Sequence, residues 1–142
     1  CLFVDQDGIV LDQSPYFSGD AYFTIYDEAF PGVVGESLLS AELLQNIDIF
    51  RSLLLEKTGL IIHSLEITKD KTYSFSLNIP RRSLADSPKL LTLPDFNPEA
   101  TILNLLTIMN DPDFVIDYEK HPENLEYIDL RFGNKVYFKF KK

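Results

Sequence analysis

A chain of 142 residues with 45% apolar and 13% aromatic residues is long enough for one core and too apolar for disorder. Its net charge of −9 opposes binding to nucleic acid, whose phosphates want Lys and Arg. One cysteine excludes an internal disulfide and a thiolate metal site, and no run approaches the roughly 18–20 apolar residues of a membrane span.

The chain opens without Met, inside the apolar run CLFV, as expected of a piece of a longer protein. An apolar strand after Cys1 argues against a lipidated first residue, which is usually followed by a polar tether. Cys1–Val4 and Ile9–Asp12 flank Asp5-Gln6-Asp7-Gly8, which predicts a hairpin around an Asp-rich turn ending in Gly. The D-x-D-G spacing invites a calcium-loop reading. Such a loop needs a third oxygen ligand two positions on and a Glu at the twelfth, where Ile9 and Tyr16 stand.

Residues 13–20 read as a loop and residues 21–27 as an extended run, with Pro31-Gly32 and Gly35 marking a connection. Ser37 or Ser40 is a candidate N-cap for a helix to about Lys57. Its apolar stripe is Leu43, Ile47, Phe50 and Leu54, with Leu44 and Leu55 beside it, and Gly59 stands where a C-terminal cap belongs. Leu60–Thr68 and Thr72–Ile79 predict two strands around Lys69-Asp70-Lys71. Tyr73, Phe75, Leu77 and Ile79 alternate with Ser74, Ser76 and Asn78, and Ile61, Leu65 and Ile67 are expected to share a face with His63. No metal-ligating spacing surrounds His63, and His121 falls in a polar loop.

Residues 80–96 hold three prolines and no sustained period, so they read as a long connection. Asn97-Pro98-Glu99 predicts a helix start, followed by Ile102, Leu105, Leu106 and Met109 at helical spacing, with a stop at Asn110-Asp111-Pro112. Phe114–Tyr118 reads as a short strand. The chain ends in a hairpin, Leu125 to Lys142. Ile128, Leu130 and Phe132 alternate on one arm, and Val136, Phe138 and Phe140 on the other. A two-residue turn would set these rows on opposite faces. A three-residue loop of Gly133, Asn134 and Lys135 pairs Phe132 with Val136 and puts all six on one face, so a bulged loop with Gly133 or Asn134 at positive φ is expected. The other face would carry Tyr127, Asp129, Arg131, Tyr137, Lys139 and Lys141.

These elements predict an α+β fold: a mostly antiparallel sheet with two helices, closing on a C-terminal β-hairpin, in one domain over residues 1–142. Residues 131–142 hold five of the 13 basic residues and none of the 22 acidic ones. The final strand is therefore either an edge guarded by lysines or a basic docking strip for an acidic partner segment.

The sequence holds no Ser, Cys or Thr in a recognisable triad and no Gly-rich phosphate loop. Asp5/Asp7, Asp111/Asp113 and Asp117/Glu119 are carboxylate pairs in turns or loops, expected as solvated charge. A binding module is favoured over the alternative, a small α+β hydrolase or transferase with a carboxylate site in the acidic loops. No cofactor and no metal are expected.

Residues 127–132, Tyr-Ile-Asp-Leu-Arg-Phe, followed by Gly133-Asn134-Lys135-Val136, resemble the C-terminal signature of the bacterial cell-division protein family FtsQ/DivIB. Phe3-Val4-Asp5-Gln6-Asp7-Gly8-Ile9 is similar to the start of that family's β domain, and the helix, turn and strand pair between follow its order. Residues 80–96 depart from it, being longer than the turn expected there. The resemblance implies the extracytoplasmic β domain of a divisome scaffold at the septum, with an upstream membrane helix and POTRA domain. It also implies strand addition at the last strand by a FtsB/FtsL-type partner. Carried over by motif, the contact positions are Phe132, Asn134, Val136 and Phe140, with Arg131 expected to pair with a partner carboxylate; Tyr137 is added as a main-chain position of the docking edge.

Overall fold

A computed structural model describes residues 2–5, 7–13, 23–28, 35–79 and 86–141. Of the loop expected at 13–20, Gln13 is a strand residue and residues 14–20 lie outside them, as do the Pro31-Gly32 connection and residues 80–85. β1 (Leu2–Val4) and β2 (Val10–Gln13) form the expected hairpin. Asp5 organises its turn: one carboxylate oxygen accepts the N–H groups of Asp7 at 2.9 Å and Ile9 at 3.0 Å. Gly8 sits at φ 80° with the Leu39 carbonyl oxygen 2.0 Å from where a Cβ would stand. That close approach joins the hairpin to residues 35–38, through Leu38 N–H donating to Gly8 O and Val10 N–H to Glu36 O.

The main sheet has six strands: β3 (Thr24–Asp27), β4 (Ile61–Ile67), β5 (Tyr73–Asn78), β6 (Lys89–Thr92), β7 (Leu125–Phe132) and β8 (Lys135–Phe140), side by side in that order. The β3/β4 and β6/β7 pairs are parallel and the other three antiparallel. With helices gathered on one face, the chain has the α+β fold that its pattern predicts.

Helix α1 (Ala41–Thr58) begins at Ser40, whose hydroxyl accepts the Leu43 N–H at 3.1 Å, a cap worth about 1 kcal/mol. Gly59 closes it, its N–H donating to Leu55 O. Ile47, Phe50 and Leu54 face the sheet and are fully buried, whereas Leu55 is exposed, on the far side of the helix from the stripe. The inner face of the sheet carries one row across five strands: Leu65, Phe75, Leu90, Ile128 and Phe138. Phe50 meets Phe75 at 5.1 Å and Phe96 at 5.4 Å between ring centroids. Burying such a side chain contributes about 2–3 kcal/mol, so this triple anchors α1 to the sheet. On the side of β3, the Arg51 guanidinium lies over the Phe23 ring at 3.9 Å.

The structure corrects four expectations. First, the stretch read as a long connection contains β6, which lies inside the sheet between β5 and β7. Its four residues are too few to show a period, and only pairing with distant strands makes them a strand. Second, Phe114–Tyr118 is helical, so there are three described α-helices rather than two. The Asp111 carboxylate caps α3 (Pro112–Lys120) by accepting the Asp113 N–H, and Pro112 occupies the first turn. Phe114 and Tyr118, four apart, then stack at 5.3 Å. Third, the shift at Ile62–Ser64 places Ile62 inward at 3% exposure and Ile61 outward at 50%, so Ile61 does not share the buried face.

The fourth correction concerns the terminal hairpin. Phe132 pairs with Lys135, so the loop is the two residues Gly133 and Asn134. Gly133 takes φ 63° and Asn134 does not, the form of a type II′ turn. Farther down, Asp129 pairs with Tyr137, so three steps on β7 match two on β8. The extra residue is a bulge at Leu130–Arg131. It restores Ile128 opposite Phe138 on the inner face. Phe132, beyond the bulge, faces outward and is 52% exposed, contrary to the inward position expected of it.

Helix α2 (Pro98–Met109) starts at Asn97, whose side chain accepts the Ala100 N–H. Ile102 and Leu105 go into the core, and Asn104 Nδ2 donates to Gly133 O at 2.8 Å, tying α2 to the hairpin tip. Phe114 of α3 meets Phe138 at 5.2 Å and Phe140 at 5.5 Å. No helix among the described residues is long and apolar enough to cross a membrane.

Candidate functional site

The strand β8 ends the sheet: among the described residues it pairs with β7 and with no other strand. The direction of its amides follows from one bond. Lys141 N–H donates to Asn124 O at 2.7 Å, back toward β7. In an extended strand, amides two apart point the same way. Lys135, Tyr137 and Lys139 therefore direct N–H toward β7, and Val136, Phe138 and Phe140 direct N–H toward the free edge. The side chains alternate with the same period. Val136, Phe138 and Phe140 are half-buried on the helix face, while Tyr137 stands outward at 52% exposure.

On the outer face Phe132 and Tyr137 meet edge to face at 5.5 Å. Arg131 lies 5.5 Å from the Phe132 ring and is held from behind by Asp129. One Asp129 oxygen accepts the Arg131 backbone N–H at 3.1 Å and Nε at 2.9 Å, and the other accepts a terminal guanidinium nitrogen at 2.7 Å. A further guanidinium nitrogen donates to the Thr72 hydroxyl at 3.3 Å. These hydrogen bonds raise the Arg131 pKa above its ordinary value, with Asp129 the main cause. Asp129 itself is buried at 7% exposure. Sequence reasoning placed Asp129 on the outer face but missed its role. The Asp-x-Arg spacing with an intervening bulge is the signal that carries it.

The basic strip is largely engaged within the domain. Lys139 pairs with Glu126 at 3.3 Å and Lys141 with Asp86 at 3.0 Å, both in solvent. Such pairs contribute about 0–1 kcal/mol and exchange easily. Lys135 stands exposed at the hairpin tip.

Two shallow grooves adjoin the hairpin on the α2 side. A groove of about 450 Å³ lies among Leu93, Asp95, Asn104, Leu130, Arg131 and Asn134. A smaller one of about 140 Å³ lies among Asn104, Thr107, Ile108, Asp111, Asn134 and Val136. The structure thus brings Arg131, Asn134 and Val136 to the grooves and Phe132 and Tyr137 together on the outer face, and tucks Phe140 against Phe114.

Two of the candidate carboxylates serve local structure. Asp5 holds a turn and Asp111 caps a helix, and each groove has a single carboxylate, Asp95 or Asp111. His63 Nε2 and Ser87 Oγ stand 3.4 Å apart, too long for a strong hydrogen bond, and His121 Nδ1 faces Glu123 in solvent at 3.1 Å. Among the described residues no group of three or more His, Cys, Asp or Glu side chains could hold a metal ion. No protein-family model matches the chain, and no curated protein matches it.

Proposed function

We propose that this chain is a non-catalytic interaction domain of the FtsQ/DivIB kind, a divisome scaffold that receives a strand of a FtsB/FtsL-type partner along β8. One observation carries the reading: β8 is the last strand of the sheet, and the residues whose amides point outward, Val136, Phe138 and Phe140, carry half-buried apolar side chains. An added strand would complete the ladder with those amides and extend the inner apolar row past Phe138 toward Phe114. The outward Phe132–Tyr137 pair supplies an apolar contact on the opposite face, and Asn134 and Val136 line the ground between β8 and α2. In this proposal the domain works on the extracytoplasmic side of the bacterial membrane at the septum, carried there by an upstream helix.

Hydrogen exchange tests the proposal with the purified domain and the extracytoplasmic part of a FtsB/FtsL-type pair. The free domain should exchange the amides of Val136, Phe138 and Phe140 quickly. The complex should slow all three, and those of Tyr137 and Lys139 should change little. A complex that leaves the three amides unprotected would remove β8 as the docking edge.

A further inference from the structure

We infer that the strand received by β8 alternates apolar with acidic residues, an uncharged residue falling between the acids where it meets Tyr137. This rests on the docking reading of β8 and adds the chemistry of the partner. Charge complementarity selects that chemistry. On the outer face of β8 the side chains run Lys135, Tyr137, Lys139, and Lys141 follows at its end. A strand laid beside them presents its own outward side chains at the same spacing of two residues, close enough for opposite charges to meet. Lys139 and Lys141 already hold Glu126 and Asp86, with side-chain exposures of 62% and 39% for the two lysines. Exposed pairs of this kind are weakly held, so a partner carboxylate can take over without leaving a buried charge. Lys135, exposed at the tip, is open to the first of them.

The charge distribution along the chain favours this landing place. All 22 acidic residues precede residue 131, and the last 12 residues carry five basic ones. An acidic segment is repelled by the body and drawn to this strip, which sets both where it docks and in which register. Tyr137 interrupts the lysine row. With Phe132 packed on it, the pair forms an apolar island that would desolvate a carboxylate placed there. The inward positions of the partner, beside Val136, Phe138 and Phe140, meet half-buried apolar side chains and call for apolar residues.

The test uses synthetic peptides of sequence Val-Glu-Val-Tyr-Val-Glu-Val, with Ser or Lys replacing both Glu in two controls. Binding is read from amide chemical shifts of the isotope-labelled domain. The acidic peptide should shift the amides of residues 135–140 and bind about tenfold more tightly than the Ser peptide at low salt. The double variant Lys135→Glu, Lys139→Glu changes exposed side chains and keeps the fold. It should reverse the order, preferring the Lys peptide. Equal binding of the acidic and Ser peptides at β8 would overturn the charge inference and leave strand docking standing. Shifts confined to other elements, or none with any peptide, would overturn the docking reading and this inference with it.

Discussion

Asp129 and Arg131, two residues apart on one strand, form a closed pair in which the carboxylate takes both the backbone N–H and the guanidinium of the arginine. The pair spans the bulge at Leu130–Arg131 and so decides which face Phe132 takes. Asp129→Ala should leave a half-buried guanidinium without its partner and loosen the bulge. Removing one member of a fully buried pair costs about 3–5 kcal/mol; Arg131 is 29% exposed, so a loss of about 2 kcal/mol is expected here. Urea denaturation measures it, and loss of the near-ultraviolet signal of the Phe132–Tyr137 pair reports the bulge itself.

The amide directions along β8 separate two proline substitutions. Val136→Pro removes an outward N–H and should weaken partner binding with little loss of stability. Tyr137→Pro removes an N–H of the β7–β8 ladder, so it should cost about 3 kcal/mol of stability besides any effect on binding. Melting temperature and partner affinity, measured on both variants, distinguish them. Similar profiles for the two would remove the assigned amide directions.

Gly8 and Gly133 both have positive φ but differ in their surroundings. A Cβ at Gly8 would stand 2.0 Å from the Leu39 carbonyl oxygen, whereas nothing lies within 4 Å of one at Gly133. Gly133→Ala should cost about 1 kcal/mol, the conformational penalty alone. Gly8→Ala must also push backbone aside and should cost about 3 kcal/mol or prevent folding, and a chemical-denaturation series on the two variants decides it.

Phe114 is 1% exposed and joins α3 to β8 through Phe138 and Phe140. Phe114→Ala should cost about 3–4 kcal/mol and release α3 before the rest of the domain. Faster amide exchange in Phe114–Lys120 than in α1 would show the local release, and uniform acceleration would contradict it.

Burial, with a smaller contribution from the Asp27 charge, pushes the Tyr73 phenol up to about 12, and burial also raises that of Tyr118. Below pH 10 both the folded and unfolded chains keep the Tyr73 proton, so stability from this source is fully present. Between pH 10 and about 12 the unfolded chain loses the proton first, and stability should fall by about 1.4 kcal/mol per pH unit for this group. Thermal melts across that window, compared with Tyr73→Phe, should show a shallower decline in the variant.

Much of the architecture is written locally. Ser40 and Gly59 bracket α1, Asn97-Pro98 opens α2, and strict alternation from Tyr73 to Ile79 makes one buried face, because each of these signals acts within a few residues. The six apolar residues of the terminal hairpin announced an amphipathic final strand in the same way. The remainder was decided only by tertiary structure. Lys89–Thr92 became an inner strand because β5 and β7 supply its partners from either side. Phe114–Tyr118, β-prone by composition, became a helix because Asp111 and Pro112 start one and because Phe114 then reaches Phe138 and Phe140. Phe132 turned outward because the Asp129–Arg131 pair stabilises an extra residue in β7, a choice of register that the alternation of apolar residues alone read the other way. Local signals set which segments can be regular; the burial of distant partners and one ion pair set how they align.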